Sequence, residues 1–288
     1  MKYENPVIPE GINTSKEHPL KEFSILLIGS SLLVVMISLV LGFGGSWLAG
    51  KIPFITEVKI ANMYDIDQHT DDKNYPRLTE YLQNLTDQIS KVQNLPDGMQ
   101  ITTHYVNNDT VNAFATLGGH IFIFRGLLEK LPNENTLVTL LSHEIAHVKY
   151  RHPIKSLGRG VVVSIAITAI MGSGDSQVMG DAGLLTILKF SREMEQQSDE
   201  EAMNTLNNIY GHLNGGAQLF EIFHKMKDEE KIDEPAEIFS SHPLDETRIE
   251  NFSEIATNKG WKEMGVLTPL PDFFQLELEK SSNEELLE

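Results

Sequence analysis

LPNENTLVTLLSHEIAHVKYRHP, residues 131–153, is the stretch whose reading decides the fold. Pro132 followed by Asn133 marks a helix start with Asn available as cap. The helix should run to about Pro153. Within it His143 and His147 stand four residues apart, on one face of a helix. Both imidazoles can therefore reach one metal ion, and Glu144 projects toward the same place. There the carboxylate can take a proton from a water polarised by the ion. Zinc is the natural ion, a redox-inert Lewis acid suited to imidazole and carboxylate. Ten histidines and 41 acids in the chain give at most about 0.05 chance matches to His-acid-x-x-His. Leu137, Val138, Leu140, Leu141, Ile145 and Val148 make this a mostly buried helix, and histidines inside it need partners.

A catalytic zinc takes three protein ligands and keeps one position open. The third candidate lies in SREMEQQSDEEA, residues 191–202. Glu195 comes 48 residues after His147 on another expected helix, and Asp199 shares its face four residues on. One carboxylate can bind the metal while the other fixes a ligand imidazole.

Four segments together resemble the M-forty-eight zinc metallopeptidase family, whose members include HtpX and the CAAX prenyl protease. They are HEIAHVKYRHP, SREMEQQSDEEA, the strand pair VNAFATLGGHIFIFRGLL and the late SSHPLDETRI. The resemblance covers about residues 75–255, with the motifs in family order. It implies a gluzincin fold, one zinc ion per chain and endopeptidase activity on membrane or envelope proteins, in keeping with quality control of misfolded chains. It makes His143 and His147 zinc ligands, Glu195 the third ligand, Glu144 the general base and Asp199 the acid behind a ligand. Ser198 stands where the family usually has Ala, one small side chain for another. His242 and Arg248 lie in the late motif. Either can stabilise the oxyanion of a tetrahedral intermediate, and His242 can instead fill the open zinc position and hold the enzyme latent. The strand from Asn112 through Ala113, Phe114 and Ala115, with Gly118 and Gly119 after it, can accept an extended peptide by edge pairing. An inactive relative acting as chaperone or adaptor is the alternative.

The fold class expected is α+β: a mainly helical zincin-type metalloprotease domain with a small antiparallel sheet, preceded by one transmembrane helix. Residues 1–22 are a polar tail with four Glu. Residues 23–50 carry no charge, long enough to cross a hydrocarbon core of about 30 Å, with Trp47 as an interfacial anchor. The single-anchor layout departs from the multi-span members of the family and puts prenylated substrates in doubt. Three lysines before the run, Lys2, Lys16 and Lys21, against Lys51 and Lys59 after it lean to N-inside, with the catalytic domain outside the cytoplasm. Residues 51–265 form the peptidase domain and 266–288 an acidic tail.

Apolar residues at helical spacing between 74 and 95 predict a helix, MQITTHYV a strand, and Gly118-Gly119 a hairpin turn. Helices are expected near 184–209 and 216–228. Residues 158–183, apolar and then glycine-rich, read as a flap over the cleft, and 229–247 as an acidic loop. His120, His152 and the cluster Asp67, His69, Asp71 and Asp72 read as solvated or structural.

The net charge of −18 argues against nucleic acid as a partner, because phosphate needs a basic surface. The absence of cysteine excludes disulfides, thiolate catalysis and cysteine metal sites. The partners expected are polypeptide substrates, and a lipid bilayer through residues 23–50.

Overall fold

A computed structural model describes residues 19–63, 66–160, 189–229, 238–243 and 246–285. Residues 1–18 of the expected polar tail, 161–183 of the expected flap, 184–188 of the expected helix, and 230–237 and 244–245 of the expected acidic loop lie outside the described residues. Residues 19–22 of the tail open a helix, and the rest of that loop includes two helical segments, Ile238–Ser241 and the start of Glu246–Lys259.

The chain opens with α1 (Pro19–Ala49), apolar and exposed along most of its length. By length and composition it can cross a membrane. A short helix α2 (Phe54–Ala61) follows. The first domain helix, α3 (Pro76–Val92), starts at Pro76, whose fixed φ suits the first turn. It buries Leu78, Leu82, Leu85 and Ile89, one helical face, against the sheet and the metal-motif helix.

Three strands follow, β1 (Thr102–Val106), β2 (Ala113–Ala115) and β3 (His120–Phe124), in the order β1-β3-β2. The hairpin expected at Gly118-Gly119 joins β2 and β3 antiparallel, with Phe114 opposite Phe122. A side chain at Gly119 would place its Cβ 2.1 Å from the Gln100 carbonyl oxygen, so only glycine fits that turn. The sheet is mixed rather than purely antiparallel. β1 pairs with β3 in parallel, Thr102 opposite His120 through Val106 opposite Phe124. The chain leaves β1 by the loop 107–112, places β2 first, and returns through the tight turn to lay β3 between them.

After α4 (Arg125–Leu128) comes α5 (Glu134–Lys149). Asn133 caps it, its Oδ1 accepting from the Thr136 N–H at 3.0 Å. Every residue from Asn135 to Val148 is buried, as expected of a helix with apolar residues on several faces. A further helix, α6, covers residues 152–160. Then come α7 (Arg192–Tyr210), α8 (Gly216–Glu229), α9 (Ile238–Ser241), α10 (Glu246–Lys259) and α11 (Asp272–Glu285). α7 is capped by Ser191 and stopped by Gly211 at φ 74°. Of its buried residues, Glu195, Ser198, Asp199, Ala202, Met203 and Leu206 make one stripe facing α5.

The C-terminal segment, expected as an acidic tail, is helix α11 packed on the domain. Phe274 and Leu278 are buried one turn apart, Phe274 edge-on to Tyr81, and the Ser281 hydroxyl meets Tyr105 Oη at 2.5 Å. Acidic residues on its exposed face masked this apolar face in the sequence.

Candidate metal centre

The packing of α7 on α5 brings four donor side chains from distant parts of the chain to one point. His143 and His147 come from α5, Glu195 from the first turn of α7, and His242 from just beyond α9. All four are buried, and one ligand atom from each lies within 4.8 Å of the others. His143 Nε2 and His147 Nε2 are 2.9 Å apart. The Glu195 carboxylate lies 3.4 Å from each. His242 Nδ1 stands 3.1 Å from Glu195 Oε1 and 3.4 Å from His143 Nε2.

These separations bear on what the cluster can hold. Bonds of 2.0–2.1 Å in a tetrahedron put ligand atoms about 3.3 Å apart. The donor separations of 2.9–3.4 Å fall close to that edge length. The donor set, imidazoles with one carboxylate and no thiolate, is the set zinc takes in catalytic sites. The residues present therefore fit a zinc ion, and among the described residues this is the one cluster of its kind.

Electrostatics point the same way. Burial opposes charge on His143, yet hydrogen bonding to Asp199 and then Glu195 holds its imidazole up to about 10. Burial resists ionisation of Glu195 too, but His242 and His143 keep its carboxyl well below the usual range. His147 goes the other way: burial and the neighbouring His143 depress it well below the ordinary imidazole value. The cluster thus favours one positive charge, as a proton or as a cation between the rings.

Each ring is steadied on its outer side. His143 Nδ1 is 2.9 Å from Asp199 Oδ1. Arg248 grips that carboxylate with two N–H donors, Nε to Oδ2 at 2.7 Å and Nη2 to Oδ1 at 2.8 Å. Its Nη1 lies 2.9 Å from Glu195 Oε2 and donates to the Pro243 carbonyl at 3.1 Å. Arg248 therefore holds both carboxylates in place.

His147 has a different support. Its Nδ1 is 2.9 Å from His152 Nδ1, and His152 Nε2 is 3.1 Å from Gln197 Oε1. Phe190 stacks on the His147 ring with centroids 3.9 Å apart. Read from sequence as solvated or structural, His152 is 1% exposed at the back of the site. Its spacing of five from His147 breaks the helical rule, because the chain turns out of α5 at Tyr150 and Arg151 before α6 begins. Ser198, fully buried, has its Oγ 3.5 Å from His152 Nδ1.

Glu144 is buried beside the cluster. Burial pushes its carboxyl up, opposed by His242 and His143, and the Ala115 backbone on β2 hydrogen-bonds to it. Its Oε1 lies 3.6 Å from His242 Nε2, while Glu144 Oε2 and His242 Nε2 have no hydrogen-bond partner among the described residues. An apolar pocket opens next to it, lined by Leu140, Leu219, Phe220, Phe223, Ile238 and Phe239.

The strand residues named from sequence divide between two places. Ala113, Phe114 and Ala115 form β2, the edge strand nearest Glu144, and the Asn112 carbonyl accepts from the Phe124 N–H at 3.1 Å. Gly118 and Gly119 sit in the turn, against α2 and Gln100.

Peptidase family M48 matches residues 76–256, the span that contains every side chain of the cluster. The beta-barrel assembly-enhancing protease of Yersinia pestis is 28% identical over 192 residues, 60% of this chain and 38% of that protein. The mitochondrial metalloendopeptidase OMA1 of Schizosaccharomyces pombe is 28% identical over 186 residues, 63% of this chain and 54% of its own length. Metalloprotease LoiP of Escherichia coli is 26% identical over 194 residues, 65% and 75% of the two chains. The chain thus spans just under two fifths of the first of these relatives and just over half of the second. With the matched span enclosing the buried His-His-Glu-His cluster, the mainly helical domain and its small sheet, the chain belongs to peptidase family M48.

Proposed function

We propose that the protein is a membrane-anchored, zinc-dependent endopeptidase that cuts polypeptides of the membrane or envelope, in the manner of a quality-control protease. The observation that carries the reading is the convergence of His143, His147 and Glu195 on one point with the Glu144 carboxylate beside it. His143 and His147 through Nε2, and Glu195 through its carboxylate, would hold the ion. Zinc held there supplies a Lewis acid for water and for the scissile carbonyl.

The protein's own groups do the rest. Glu144 takes a proton from the attacking water and returns it to the leaving amine. Burial raises its pKa and brings the carboxyl closer to the operating range of an acid–base catalyst. β2 offers its edge to an extended substrate segment, and the apolar pocket beside Glu144 suits a hydrophobic side chain next to the cut bond. Asp199 and Arg248 orient His143 and Glu195. α1 holds the domain at a bilayer.

His242 supports a second reading, of regulation. Its Nδ1 stands among the donor atoms rather than apart from them, so it serves as a fourth donor that must leave before substrate enters. An inactive relative acting as chaperone would keep the fold and lose the chemistry.

The test is Glu144→Gln in the full-length protein. Zinc content should stay at one ion per chain while cleavage of unfolded casein falls by about 10²–10⁴-fold. Loss of zinc would make Glu144 a ligand. Unchanged cleavage, or none in the parent chain with zinc bound, would sink the enzyme reading.

A further inference from the structure

We infer that α2, together with the exposed end of α1, is a bilayer-contact surface that lays the catalytic domain against an anionic lipid surface in a fixed orientation. The inference rests on the reading of α1 as a membrane anchor.

Ile55 and Lys59 stand four apart on one face of α2, and Lys51 before the helix and Met63 just after it are exposed as well. Ile55 is 59% exposed and Met63 80%. Trp47, at the end of α1, is exposed as well, with the Lys51 ammonium 5.6 Å from its ring centre. Apolar side chains alternating with lysines beside an exposed Trp are the make-up of a helix lying in the headgroup region.

Charge is segregated in the same place. The chain carries 41 acidic against 23 basic residues. Yet, Glu193 near Arg159 aside, residues 43–63 and 150–160, which the fold packs together, hold Lys51, Lys59, Arg151, Lys155 and Arg159 against one acid, Glu57. That acid is 2% exposed and paired with Arg151. Anionic headgroups attract such a surface and repel the rest of the molecule, within a screening length of about 8 Å at physiological salt.

The opposite face of α2 is rigidly joined to the site. Arg151, just beyond α5, takes φ 62°, a conformation that costs energy for a non-glycine residue. From there it reaches Glu57 and donates to the Ile52 carbonyl at 2.7 Å. Gly118 of the β2–β3 turn packs so closely on α2 that a Cβ would lie 2.7 Å from that of Ala61. Gly158 of α6 meets Ala49 and the Gly45 carbonyl of α1 equally closely. α2 thus has lipid-compatible residues outward, and inward it holds both the end of the metal-motif helix and the turn that sets the edge strand. Seated on the bilayer, it presents β2 to chains emerging from the membrane surface.

The absence of cysteine makes the test direct. Single changes Leu33→Cys in α1, Ile55→Cys, Met63→Cys, and Lys91→Cys on the exposed end of α3 are labelled with an environment-sensitive fluorophore. The full-length protein is placed in vesicles of phosphatidylcholine, with or without one third phosphatidylglycerol. Labels at 55 and 63 should shift to the blue and be quenched by lipid spin-labelled near the headgroup, more strongly with phosphatidylglycerol. Lys51→Glu with Lys59→Glu should reverse this. The label at 33 should be quenched by deep spin labels in both lipids, and the label at 91 should stay in water. Water-like emission at 55 and 63 with a deeply quenched label at 33 overturns the proposal and leaves the anchor standing. An unquenched label at 33 removes both. Quenching at 91 would mean adsorption without orientation. Shielding at 55 and 63 that persists in detergent would assign the face to a second copy; either result also overturns it.

Discussion

His242 is the residue whose two assignments make opposite predictions. A group that stabilises the oxyanion lowers turnover when removed; a fourth donor that blocks the open position raises it. The contacts to Glu195 and His143 place Nδ1 among the donors, so His242→Ala should raise turnover of an unstructured peptide several-fold. Steady-state kinetics with zinc content measured alongside decide it, and a fall in kcat at full zinc returns His242 to the oxyanion. The other polar contacts of the site rank by what they touch. Glu195→Ala deletes a donor and should empty the site. Asp199→Ala and His152→Phe only remove what steadies His143 and His147, so each should weaken zinc by about 10–100-fold, read by competition with a chromophoric chelator. For His147 to give its Nε2 lone pair to zinc, its proton must sit on Nδ1 and point at His152. The His152 proton then sits on Nε2, aimed at Gln197 Oε1. Gln197→Leu should therefore weaken zinc too, although it touches no ligand. Tight zinc in both His152→Phe and Gln197→Leu would show that Phe190 packing alone holds the His147 ring.

Between the elements, a second histidine pair ties β1 to β3. His104 Nε2 lies 2.9 Å from His120 Nδ1, and His104 Nδ1 lies 2.7 Å from Asp72 Oδ2. Burial first, and His104 second, push His120 down to about 4. Its folded pKa is thus below the unfolded value near 6.5, so the unfolded chain binds the extra proton more readily. The contribution is full above about 6.5 and is lost as pH falls toward 4. Thermal unfolding of the parent chain should lose ground to His120→Gln over that window, and the difference between the two chains cancels the metal's own pH dependence. Parallel melting curves from pH 7 to 4 would refute it. This pair also shows where sequence reading stops. His143 and His147 were legible because a helix turns spacing into proximity. So was the β2–β3 hairpin, since two glycines between apolar runs leave little else. β1 against β3 was not, because the pairing partner of a strand after a loop is set by packing on α3, which no local pattern encodes. His152 was missed for the same reason: its contact with His147 arises from the turn between α5 and α6. The face of α11 escaped because its core residues Phe274 and Leu278 sit among polar and acidic neighbours, Asp272, Gln275, Glu277 and Glu279.

Across the molecule, the candidate metal centre is also the joint that holds three parts of the domain. α5 contributes His143 and His147, α7 contributes Glu195 and Asp199, and the segment around α9 and α10 contributes His242 and Arg248. The first two parts meet elsewhere as well, since Glu201 of α7 accepts from Lys149 at 2.7 Å and Tyr150 at 2.5 Å, and an apolar stripe backs the contact. Zinc that binds the folded but not the unfolded chain stabilises it by about 2.7 kcal/mol at a hundredfold excess over Kd. Chelation should therefore lower the melting temperature of the catalytic domain, and the loss should not be even. α3 keeps its contacts with α5 and with β1 whatever the site holds. α9 and α10 depend on the site through His242 and Arg248, beside the packing of Ile238, Phe239, Ile255 and Ala256 on the core and the Lys259 bond to Asn204. Hydrogen exchange with and without chelator should show protection lost across 238–243 and 246–259 and kept across 76–92. In Glu195→Ala, expected to hold no zinc, chelator should change nothing further. Uniform loss along the chain would mean that the domain unfolds as one unit without metal. No loss in α9 and α10 would mean that these helices stand on their own packing, and that the centre serves chemistry alone.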